Sequence, residues 1–100
     1  MFDHVRKSLN IALEDWSMMQ KTDGDEGEET AERFERHFYE FIDHFKSWFH
    51  TLNPMPTDVL EAEDLPEVIE IQNKLPGPLQ LNFLTELELI IDGIERSRFD

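Results

Sequence analysis

Cysteine is absent from the 100 residues. That excludes disulfide frameworks, thiolate catalysis and cysteine-based zinc sites together. Basic residues are scarce, with nine Lys and Arg against 23 Asp and Glu, for a net charge of −14. Affinity for nucleic acid comes from Lys and Arg neutralising phosphates, so direct DNA or RNA binding is not expected. Docking on an anionic membrane is disfavoured on the same ground. Long apolar runs are also missing. Leu75 to Thr85 is as long a charge-free run as the sequence has, and it holds two prolines and a glycine. It is unsuited to crossing a membrane. The first residues, Met1 to Arg6, lack the apolar stretch of a signal peptide. These features predict a soluble, cytoplasmic protein. Catalytic signatures are wanting too: there is no nucleophile motif, no Gly-x-Gly-x-x-Gly and no phosphate loop. The expectation is a protein that is not an enzyme and has no cofactor.

What is present is apolar periodicity. Phe2, Val5, Leu9, Ala12, Trp16 and Met19 follow one another by three or four residues. That spacing places all six on one stripe of a helix. A stronger stripe follows in Phe34, Phe38, Phe41, Phe45, Trp48 and Leu52, widened by Ile42 and Phe49. A face that broad suits a bundle core. The second helix should stop before Asn53-Pro54-Met55-Pro56, because a residue preceding proline resists helical geometry. Asp58 or Thr57 would cap a short segment from Val59 to Glu63. Asp64, three residues before Glu67, has the spacing of a capping box for another. Val68, Ile69, Ile71 and Leu75 supply apolar contacts there. One kinked helix and two short ones both fit residues 58–75. After Pro76-Gly77-Pro78, the run Leu79, Phe83, Leu87, Ile90 and Ile94 keeps the helical period, with Leu84 and Ile91 broadening the face. Leu79 to Phe83 alternates as a strand would, but the longer period favours helix.

The pattern predicts an all-α fold: a small antiparallel bundle of about four helices in a single domain, 1–100. An acidic loop is expected at about 21–30, with Thr30 as the next N-cap, and breaks at 53–57 and 76–78; an earlier start of the second helix is the alternative, since the acids before Thr30 also suit a helix N-terminus. A two-helix hairpin that dimerises is the alternative architecture.

The charge is unevenly spread. Residues 1–21 and 33–53 are each neutral. Residues 22–32 carry six acids and no base, residues 54–76 are net −5, and residues 77–100 are net −3. A solvated face that maintains solubility is the plain explanation. The functional alternative is a contact surface for a partner protein, one of basic character. Its residues would be Asp23, Asp25, Glu26, Glu28 and Glu29 in the loop, with Asp58, Glu61, Glu63, Asp64, Glu67 and Glu70 beyond it. A nucleic-acid mimic that occupies the cleft of a DNA- or RNA-binding protein is a special case. Association with a second copy of the chain is the other partner considered.

Two metal patterns can be weighed. His37, Glu40 and His44 lie at i, i+3 and i+7, and imidazole with carboxylate suits zinc or iron. Neither the Glu-x-x-His pairs of di-iron bundles nor His-Glu-x-x-His occurs, so no metal is expected. A calcium loop starting at Asp23 would put Glu28 where glycine is required and Phe34 where the bidentate glutamate belongs.

Overall fold

The computed structural model describes residues 2–21 and 24–99, and of residues 24–26 and 94–99 it describes the backbone alone. The chain is all-α. Five helices and no strand are found among the described residues: α1 (Phe2–Lys21), α2 (Gly24–Phe49), α3 (Val59–Glu63), α4 (Pro66–Lys74) and α5 (Gly77–Phe99). They fall into two compact units, 1–50 and 51–100.

The first unit is a hairpin of α1 and α2. Phe2 meets Trp48, with ring centroids 4.8 Å apart, and Trp16 meets Phe34 at 5.3 Å. Low numbers thus pair with high ones, which makes the two helices antiparallel. Val5, Leu9 and Ala12 of α1 are buried, as are Phe38, Phe41, Ile42, Phe45, Trp48 and Phe49 of α2. Phe34 is half-buried. These are the periodic positions of the two stripes. Burying each large side chain stabilises the fold by about 1.5–3 kcal/mol relative to leaving it exposed. Ser8 is also buried, and its hydroxyl donates to the carbonyls of His4 and Val5, so no polar atom is stranded.

The acidic loop is shorter than the sequence suggests. The helix α2 begins at Gly24, so Asp25 to Glu29 are helical rather than looped. Acids in the first turns interact favourably with the positive end of the helix dipole, which outweighs the two glycines. Asp23 lies outside the described residues. Thr30 is not a cap. It sits inside α2, buried, and its hydroxyl donates to the Gly27 carbonyl at 3.0 Å.

In the second unit, residues 58–75 form two helices. Asp58 is the N-cap of α3, and its Oδ1 accepts from the Glu61 N–H at 2.8 Å. The Glu61 carboxylate reaches back to accept from the Thr57 N–H and hydroxyl. This reciprocal arrangement satisfies amide donors that a five-residue helix would otherwise leave open. The box expected of Asp64 and Glu67 does not form. The N-cap of α4 is Leu65, which has no side-chain hydrogen bond, and Pro66 opens the first turn. Proline has no N–H to satisfy there, so one demand on a cap disappears.

Val68, Ile71 and Leu75 are buried, together with Ala62 of α3 and Leu79, Phe83, Leu87, Ile90 and Ile91 of α5. The helix α3 lies against both α4 and α5. Gln80 ties the α4–α5 turn by donating to the carbonyls of Gln72 and Leu75. Leu79 to Phe83 is helical, so the strand alternative falls. Ile69 does not join the core as expected; it is 47% exposed.

Gly93 lies within α5, and a methyl built on it would meet nothing within 4 Å. Gly93→Ala is therefore expected to stabilise the protein by about 0.5–1 kcal/mol, read by urea titration.

Candidate functional site

The stretch formed by α3, its two caps and the first turns of α4 carries six acids from Asp58 to Glu70 with no base among them. Asp58, Glu61 and Asp64 are exposed, while Glu63, Glu67 and Glu70 are half-buried. Asp58 and Glu61 are engaged in capping, and Asp64 is the C-cap of α3. The Glu70 carboxylate lies 3.5 Å from the Lys74 ammonium. Across residues 51–92 there are nine acids and one base, Lys74. Residues 51–92 therefore carry a large excess of negative charge.

Beside this acidic stretch runs an apolar depression. A groove of about 420 Å³ lies between α4 and α5, lined by Ile69, Leu81 and Leu84 with Gln72, Asn73 and Gln80. Glu63 stands at its edge. Leu81 is 70% exposed and Ile69 47%, so both present hydrocarbon to water. The helical period explains the placement. Gly77, Gln80, Leu81 and Leu84 recur at three- and four-residue steps along one flank of α5, beside the buried stripe of Leu79, Phe83 and Leu87. Leu60 and Leu89 of the same unit are exposed as well.

The remaining acids of interest belong to the first unit. Glu28 and Glu29 are exposed on α2, and Asp25 and Glu26 lie in its opening turns with undescribed side chains. Asp23 is outside the described residues. The acids thus fall into two sets, one in each unit.

His37, Glu40 and His44 do not come together as a ligand set. His37 turns to α1, where its Nδ1 bonds to the Asp15 carboxylate. His44 is exposed and stacks on His4, centroids 6.1 Å apart and planes 16° from parallel. Glu40 is exposed. Among the described residues, no group of three His, Asp or Glu is placed to hold a metal ion. Asp15 and His4 were not singled out by spacing. Asp15 had a visible signal, being a polar residue on the apolar seam three residues after Ala12. His4 had none, since its partner lies 40 positions away.

No helix among the described residues is long and apolar enough to cross a membrane. Compared with known proteins, the chain matches no protein-family model, no curated protein and no solved structure.

Proposed function

We propose that the chain is a non-catalytic protein-interaction module, acting in the cytoplasm, whose contact surface is the acidic stretch Asp58 to Glu70. The observation that supports this reading most is the charge of residues 51–92, nine acids against one base, lying beside exposed Leu60, Ile69 and Leu81. Exposed apolar side chains next to charge characterise protein contact surfaces. A solubilising face requires only the charge. The partner implied is basic, drawn in by long-range attraction and held by the apolar contacts.

Capture on the immobilised chain, at low salt and at about 0.5 M salt, tests the reading, because screening shortens the reach of exposed charges to a few ångströms. Charge reversal at Glu63, Asp64 and Glu67 to lysine gives the comparison surface; it leaves the Asp58–Glu61 N-cap of α3 intact, and Asp64 caps the other end through its backbone N–H alone. The expected result is one defined partner, retained at low salt, released at high salt and absent from the reversed chain. Retention of the same proteins by both chains at both salt levels would overturn the proposal.

A further inference from the structure

We propose that the groove between α4 and α5 seats apolar side chains of a basic amphipathic helix belonging to the partner. The inference rests on the acidic stretch being the contact surface, and it adds the chemistry of what binds there.

The groove's size falls in the range of ligand-sized clefts, roughly 300–1,000 Å³, at about 420 Å³. Its apolar part is Ile69 from one wall and Leu81 and Leu84 from the other. Two helices flanking a shallow apolar channel form the surface into which a third helix lays its hydrophobic stripe. The edge of the channel decides the charge of that third helix. Glu63 lines it, Glu67 and Glu70 lie on the helix that forms one wall, and no lining residue is basic. An acidic amphipathic helix would meet like charge at this edge. A neutral one would forgo the attraction that the nine acids of residues 51–92 provide. Lysine or arginine flanking two or three large apolar residues satisfies both halves of the site. The polar lining, Gln72 and Asn73, remains available for hydrogen bonds at the rim.

The same face could be imagined closing on a second copy. Its charge argues against that: two such surfaces would bring matching acidic stretches together, and the one base nearby, Lys74, is already paired with Glu70.

A designed leucine–lysine amphipathic peptide and a control in which serine replaces leucine are the probes. They carry equal charge. Each is titrated into the full chain and into three variants: Leu81→Asp, Ile69→Ser and Leu89→Asp. Leu81 and Leu89 are both exposed on α5, but only Leu81 lines the groove. The two aspartates add the same negative charge, which by itself strengthens attraction for lysine. The expected result is that the leucine peptide binds the wild-type chain at least about fivefold more tightly than the serine peptide. Leu81→Asp and Ile69→Ser should each reduce that affinity about fivefold, and Leu89→Asp should leave it equal or higher, with circular dichroism unchanged throughout. If the serine peptide binds equally well and Leu81→Asp weakens nothing, the groove is not the seat, while the electrostatic contact surface stands. If neither peptide binds at low salt, the contact-surface reading fails with it. A chain that is dimeric without peptide and monomeric as Leu81→Asp would give the groove to a second copy and overturn the proposal.

Discussion

Replacing Phe45 by alanine is expected to destabilise the protein by about 3–5 kcal/mol, read as a lower midpoint in guanidinium titration. Phe45 is fully buried in α2, one turn from the Phe41 ring and one turn from Phe49. Its ring centroid lies 5.7 Å from those of both Trp48 and Phe49, in tilted rather than face-to-face geometry. Alanine removes the hydrocarbon, leaves a cavity among rigid rings, and deletes two aromatic contacts worth about 0.5–1.5 kcal/mol each beyond burial. Neighbouring rings have few rotamers with which to collapse into the space, so the cost should sit high in the range. Proteins of this size have about 5–15 kcal/mol in total, so the variant should lose a large part of its stability. Its melting temperature should fall by more than about 10 °C. Phe45→Leu keeps most of the volume and should lose less than half as much.

The second large effect is expected at the pair that joins the two helices of the hairpin. Asp15 is buried on α1, and its carboxylate bonds to Nδ1 of His37 on α2. An ionised carboxylate only accepts, so the ring nitrogen is the donor. The carboxylate is the more enclosed partner, its side chain 12% exposed against 24% for the imidazole. The two single variants should therefore differ. His37→Ala strands a carboxylate that water reaches poorly, at a cost of about 2–3 kcal/mol. Asp15→Ala leaves an imidazole better able to bond to water, and should cost about 1 kcal/mol. Removing both deletes the stranded group, so the double variant should be more stable than the sum of the singles implies, by about 1 kcal/mol. Urea titrations of the four proteins complete the cycle. Additive losses would mean that the pair contributes nothing through its bond.

These two sites differ in how openly the sequence carried them. The aromatic stripe was legible because the core of a helical hairpin is built from one repeated spacing, and Phe38, Phe41, Phe45 and Trp48 obey it. The Asp15–His37 bond was not, since the partners are 22 residues apart and only the antiparallel register brings them together. At Asp25 to Glu29 the acids beside two glycines read first as solvated loop, with an earlier helix start as the alternative. Those acids favour a helix N-terminus, and α2 takes them in. The Asp58 cap was local chemistry and was read directly, whereas α2 ends at Phe49, ahead of the boundary expected at Asn53-Pro54, and leaves Leu52 outside the helix. Leu65 as the α4 cap was hidden, because Pro66 lowers the demand for a capping side chain.

The candidate surface was half legible. Counting charge located the acids at Asp58 to Glu70. It could not reveal that Ile69 leaves the core, nor that Leu81 and Leu84 face it across a groove. Both depend on how α4 and α5 meet, which the period of a single helix does not specify.

Zero-length carboxylate–amine cross-linking of the captured complex, read by mass spectrometry, tests the contact surface most directly. It joins carboxylates only to lysines that touch them. The expected result is partner lysines linked to Glu63, Asp64 and Glu67, with Glu70 linked mainly to Lys74 of its own chain. Links falling instead on Glu28, Glu29 and the other acids of residues 1–50 would contradict it and place the contact on the hairpin.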